Sequence, residues 1–299
     1  MSAQRSIAIG IGFMVLAAAI FGLMDAVVKW LSPRYPTPQI MFFRSLFAFP
    51  PILFMIWRGG RGWADLHTRR IAGHGLRSVY GCLAMLCFFY AYRSMPLAEV
   101  TAIAFSAPIF IAVLSVWLLG ERVGLHRWSA IVVGFIGMLV ILRPGQGIGQ
   151  GAEQGFMQGG SLLVVLATLL YALAMIQIRK LSATETTNGT AFYFTAFCTL
   201  YTGLALPWFW VTPSLADLPL LIAVGLLGGM AQLCMTRAFA RAPASVVAPF
   251  DYTHLLWSVL FGWYLFGDFP DAQTWIGAAI VVASGLYILY RETMRRGQV

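Results

Sequence analysis

From Ile7 to Leu31 the chain is almost wholly apolar, and the pattern recurs near 38–57, 73–94, 98–119, 128–143, 159–180, 190–210, 218–239, 245–266 and 274–290. A helix needs about 20 apolar residues to cross a hydrocarbon core about 30 Å thick, and these runs are of that order. The only other spanning structure is a closed barrel of short alternating strands, and runs this long and continuous favour helices. Between them stand turn signals such as "SPRYPTP", "RGGRGW", "RPGQGIGQGAEQG", "VTPSLAD" and "GDFPD". The pattern predicts an all-α integral membrane protein of ten transmembrane helices, with no length left for a separate soluble domain. The first run is too long for a signal-peptide core and lacks a small-residue cleavage site after it, so it is expected to remain in the mature chain.

Composition agrees: 60% of the 299 residues are hydrophobic and 10% charged, against about 25% charged in soluble domains. The net charge of +9 raises the question of nucleic acid. The basic residues cluster at helix ends, however, and form no stripe with interleaved aromatics. With the N-terminus in the cytoplasm, fifteen of the twenty Lys and Arg fall on the inner side, among them Arg58, Arg61, Arg69, Arg70 and Arg77. Lys29, Arg34, Arg93 and Arg143 fall outside, and Arg44 lies within a span. That asymmetry predicts both termini on the cytoplasmic side of a bacterial-type inner membrane. Cys82, Cys87, Cys198 and Cys234 all lie in apolar runs without CxxC or histidine spacing, which suits packing and neither metal nor redox chemistry.

The chain repeats itself. Pro96, Phe105, Gly120, Glu121 and Trp128 are answered 147 positions later by Pro243, Tyr252, Gly267, Asp268 and Trp275. "FGLMDAVVKWLS" at 21–32 is answered by "YALAMIQIRKLS" at 171–182. The expected division is a first five-helix repeat over 1–144, a linker over 145–158 and a second repeat over 159–299. Five is odd, so the second copy enters from the opposite face and the repeats are inverted, as in many secondary transporters. "GQGIGQG" in the linker has no GK[ST] and reads as flexible connection, not a phosphate loop. With no nucleotide motif, gradients are the expected source of energy.

The stretch 95–144, with Ala107-Pro108, Gly120-Glu121-Arg122, Trp128 and Gly134 to Gly137, resembles the EamA-type repeat of the drug/metabolite transporter superfamily. The second copy departs from it with Asp268 for the usual Glu and Leu255 opposite Pro108. "MDAVVKWLS", "FFRSLFAFPP" and "APFDYTHLLW" are similar to the S-adenosylmethionine uptake branch, while riboflavin carriers share the "KWL" and "RSLF" elements. The resemblance implies a ten-helix, cofactor-free carrier of a small organic metabolite, with a central cavity lined by both repeats. S-adenosylmethionine or a related metabolite heads the substrate classes; riboflavin and amino-acid-like metabolites follow. A channel and a non-transporting interaction subunit remain the alternatives of another class. Monomer and homodimer are both open, and no partner beyond lipid and the small molecule is implied.

Charges inside spans are costly, roughly 2.5 to 3.5 kcal/mol at the bilayer centre, so they face an interior and find partners. Asp25, Arg44 and Asp251 are the candidates. Asp25 and Arg44 lie at similar depth, roughly 8 to 9 Å, on adjacent antiparallel helices. An ion pair between them is expected, either structural or shared with a charged substrate group. Asp251 has no basic residue in its own span and follows Pro249, which can bend the helix. It is expected to face a cavity, where a cationic substrate group or a proton balances it, with His254 near its face. Tyr80, Tyr90, Phe105, Tyr171 and Tyr252 are placed to stack on a planar ring, and Gln177 and Gln232 to hydrogen-bond its edge. An intramembrane enzyme would need a convergent His, carboxylate or nucleophile set, and none is legible, so no enzyme is expected.

Overall fold

The computed structural model describes residues 3–58, 62–120, 125–142, 159–242 and 244–296. Within them the chain folds into thirteen α-helices and two 3-10 turns, the α-helices making ten rods. In order these are α1 (Ala3–Leu31), α2 with α3 (Thr37–Leu46, Phe49–Arg58), α4 (Ile71–Ser94), α5 with α6 (Leu97–Ala104, Ala107–Leu119) and α7 (Leu125–Leu142). Then come α8 (Gly159–Leu181), α9 (Thr187–Phe209), α10 (Leu218–Arg241), the composite of α11, a 3-10 turn and α12 (Ala244–Val247, Ala248–Tyr252, Thr253–Phe266), and α13 (Ala272–Arg296). Six rods are long and apolar enough to cross a membrane on their own figures, beginning with Ser6–Leu31, at mean hydropathy 2.5. The expected linker and Glu121, Arg122 and Arg143 lie outside the described residues, as does Pro243.

Three rods read from sequence as continuous are broken. Proline lacks an N–H and its ring clashes with the carbonyl four residues back, so a helix restarts at it. Pro50 and Pro51 head α3, Pro108 stands in the first turn of α6, and Pro249 opens the 3-10 turn. The fourth and ninth rods also end alike. Gly120 and Gly267, 147 positions apart, both take left-handed backbone, φ 66° and 74°, which closes a helix without a Cβ penalty.

Helix pairing has a two-fold logic. α1 packs on α10, and exchanging the halves turns this into α8 on α4, which is also present. The pairs α2 with α9, α5 with α12 and α7 with α13 map onto themselves. At the α7–α13 seam, added Cβ atoms at Gly137 and Gly277 would collide with Ile280 and with the Gly137 carbonyl, so glycine permits the close approach. The core between the halves is sealed by fully buried Leu31, Ile40, Leu97, Ile103 and Leu221.

Both ends of the bundle are tied by polar contacts. At one end Asp217 accepts from Arg34 Nη1 at 2.8 Å, Tyr35 Oη at 3.0 Å and Ser214 Oγ at 3.0 Å. Beside it Lys29 Nζ donates to Asp268 and, at 3.0 Å, to the Met95 carbonyl, joining α1 to two junctions. At the other end His74 Nε2 lies 3.2 Å from Glu185 Oε2, and Asn188 Nδ2 donates to Asp65 Oδ2 at 2.6 Å. Burial pushes the Asp217 carboxyl up, but Ser214, Tyr35 and the Arg34 charge outweigh it and hold it below its ordinary value. Glu185 is likewise raised by burial and, on balance, lowered by His74, Thr68 and Arg70.

Candidate functional site

Between those ends α1 and α12 bring Asp25 and His254 together. Asp25 is buried, 5% exposed, and its Oδ2 lies 3.2 Å from His254 Nε2. The sequence prepares this contact one turn earlier: a Cβ at Gly22 would stand 3.0 Å from Trp257 Cβ and 3.6 Å from His254 Cδ2. Tyr92 of α4 also acts on the Asp25 carboxylate.

This corrects the expected pair of Asp25 with Arg44. Equal depth is not equal direction: α1 packs on α10 and α12, while α2 turns its own face to α9 and α10. The Arg44 guanidinium lies 6.0 Å from the centre of the Phe194 ring of α9 and feels the Asp25 charge only at longer range. Gly228 of α10 makes room for it, since a Cβ there would lie 3.3 Å from Arg44 Nε.

Arg77 stands on the same ring, 3.7 Å from its centre. The positive-inside count includes Arg77 on the inner side, within the expected span 73–94; the structure puts it six residues inside α4, a helix that packs on α9. A Cβ at Gly81, one turn on, would overlap Phe194, so that glycine lets the ring lie under the guanidinium. Arg44 Nε and Arg77 Nε and Nη1 are buried without a hydrogen-bond partner. Among the described residues no carboxylate is at ion-pair distance from either arginine. Nearby Cys82 and Cys198 are free thiols in contact with each other, as packing cysteines.

Asp251 sits in the 3-10 turn that breaks the ninth rod, solvent-exposed, with no ion-pair partner among the described residues. Its charge acts on His254 and on Tyr171 of α8, and Tyr171 in turn feels Arg77. Asp25 with His254 and nearby Asp251, and Arg44 with Arg77 at the Phe194 ring, thus form a circuit of charged side chains drawn from both halves of the chain. Phe105 and Tyr252, equivalent positions of the repeat, meet edge to face with centres 4.8 Å apart, and Gly285 accommodates the Tyr252 hydroxyl. Gln232 lies one turn beyond Gly228 on α10. Among the described residues, Tyr80, Tyr90, Gln177 and Gln232 make no side-chain hydrogen bond or ring contact with the circuit, and Tyr90 is 40% exposed. Arg77 and Phe194 are what sequence reasoning missed. The available signal was an arginine followed one turn later by glycine inside an apolar run.

Chemically the circuit is bipolar. One side, from α1, the 3-10 turn and α12, presents two carboxylates and an imidazole; the other, from α2 and α4, presents two guanidinium groups over the Phe194 ring of α9. No three His, Cys, Asp or Glu side chains converge as a metal site among the described residues.

The EamA-like transporter family model matches residues 8–143 and 158–290. The S-adenosylmethionine uptake transporter of Rickettsia bellii is 30% identical over 97% of this chain and 96% of its own. The riboflavin transporter of Rhizobium johnstonii is 33% identical over 96% and 93%, and the pseudopaline exporter CntI of Pseudomonas aeruginosa 31% over 92% and 94%. A solved crystal structure, 19% identical, shares the fold at a TM-score of 0.63 across 96% of this chain and 98% of its own. With the family model matched over both halves and relatives at 30% identity or more over nearly the full length, the chain belongs to the EamA-like transporter family.

Proposed function

We propose that the protein is a secondary carrier, and not an enzyme, that moves a small zwitterionic or cationic metabolite across a bacterial inner membrane by alternating access. S-adenosylmethionine or a related metabolite is the best fit. The observation that carries this reading is the bipolar circuit built from both halves. Asp25, His254 and Asp251 balance a cationic group, and an alternation of two inverted repeats, 1–144 and 159–299 about the linker 145–158, exposes the circuit to each face in turn. The named relatives act in opposite directions, uptake and export, so direction is not part of the proposal. Riboflavin, carried by one relative, is the second reading. The aromatic set of Phe105, Tyr171 and Tyr252, with Tyr80 and Tyr90, favours a planar ring, but an uncharged ring leaves the arginines and Asp251 unmatched.

The test is flux in proteoliposomes. Saturable S-adenosylmethionine uptake with counterflow supports a carrier, unsaturable flux a channel, and no flux of any metabolite an interaction subunit. Saturable riboflavin uptake without S-adenosylmethionine uptake gives the second reading. Both termini are proposed to be cytoplasmic. A single cysteine placed in 145–158 is then labelled from outside, and one placed in 58–70 is not; the reverse pattern overturns the inverted arrangement.

A further inference from the structure

A guanidinium kept from water is costly unless hydrogen-bonded acceptors replace its hydration. Two of them share one ring here: Arg77 at 3.7 Å and Arg44 at 6.0 Å from the centre of Phe194. Arg77 feels Arg44 as a like charge, which adds to the cost. Cation–π attraction to one phenyl ring offsets only part of it. It leaves the N–H groups unused: Arg44 Nε and Arg77 Nε and Nη1 are buried without an acceptor. Neither nearby acid neutralises them: Asp25 is engaged by His254, and among the described residues no carboxylate is at ion-pair distance from either arginine. The cluster is also built, because Gly81 and Gly228 are the positions at which a Cβ would crowd Phe194 and Arg44.

We propose that Arg44 and Arg77, gathered at the Phe194 ring, form a subsite for a carboxylate group of the ligand. A forked donor set over an aromatic ring matches the planar, two-oxygen geometry of a carboxylate, and a charge-assisted contact of this kind is stronger than a neutral one. The circuit then sorts ligands by charge separation. The arginine side takes the anionic group and the Asp251 side takes the cation. The ligand class is an amino-acid-like zwitterion, and a cation without a carboxylate is a poor one. This deepens the carrier reading and rests on it only for the statement that the bound ligand is the cargo.

The probe is 3-phenylpropionate against 3-phenylpropionamide, ligands of one shape that differ in the charge, measured by thermal shift and titration on the full chain in detergent. The wild type is expected to bind the carboxylate about tenfold more tightly than the amide, about 1.4 kcal/mol. Arg77→Gln and Arg44→Gln are expected to lose that preference and keep the weak amide binding, while Arg77→Lys keeps most of it. Equal binding of acid and amide by the wild type overturns the proposal without any variant, whatever the variants' folding. So does a preference that survives Arg77→Gln and Arg44→Gln, or a loss of both ligands together, which is what a purely structural role gives. Flux separates the two readings. Carboxylate preference without transport sinks the carrier and keeps the subsite; transport of S-adenosylmethionine and its decarboxylated analogue at equal rates does the opposite.

Discussion

The ends of the bundle and its middle treat charge in opposite ways. At the ends three charges find their complements: Asp217 accepts from three donors, Lys29 has a carboxylate and a carbonyl, and Asp65 accepts from Asn188. In the middle, donors on Arg44 and Arg77 are buried without acceptors, and Asp251 has no ion-pair partner among the described residues. The buried arginine donors carry a desolvation cost, so a fold selected for stability alone would pair them first. Pairing at the ends ties the loops to the helices. Incomplete pairing in the middle keeps groups ready for something that enters and leaves.

The contrast predicts different readouts. Asp25 has a close partner in His254, and removing its charge should have the largest effect on stability. Asp25→Asn is expected to cost about 3 kcal/mol in chemical unfolding, and the double change with His254→Gln to recover part of that. No recovery in the double variant would mean that the pair is not coupled. Lys29→Gln at an end should cost less, about 1 kcal/mol, because the partly exposed pair is screened. It should lower the melting temperature without changing which ligands bind. A shift in ligand preference would show that this end is part of the site. The smallest effect is visible only in acid. Asp217 and Glu185 sit below their ordinary values, so the stability they add is complete above about pH 4 to 4.5 and is lost as pH falls through their lowered values. Asp217→Asn should flatten the acid limb of the melting profile, and an unchanged limb would show that the contacts at Asp217 add nothing.

Much of the fold was legible. Ten apolar runs gave ten rods, and the 147-residue echo of Gly120 in Gly267 returned as two left-handed caps. Less was legible where a rod breaks: Pro50, Pro108 and Pro249 are visible in sequence, but whether a proline bends or interrupts a span depends on what satisfies the freed carbonyl. The site was half legible. Hydropathy singles out Asp25, Arg44 and Asp251 because charge stands out against hydrocarbon. It gives height along a rod and not direction around it, so Asp25 was given Arg44 as partner and not His254. Arg77 was hidden by its place near a span end, where the positive-inside count absorbs any arginine. Phe194 was hidden by being one aromatic among many.

The central claim is that the unpaired charges of the middle serve a passing ligand, and Asp251 tests it most directly. Asp251→Asn keeps the shape and removes the charge. Uptake of S-adenosylmethionine into proteoliposomes, measured across pH beside the melting temperature, is expected to fall at least tenfold, about 1.4 kcal/mol or more, with the melting temperature unchanged. Wild-type uptake by Asp251→Asn at every pH would contradict the account and leave Asp251 as polar packing between helices.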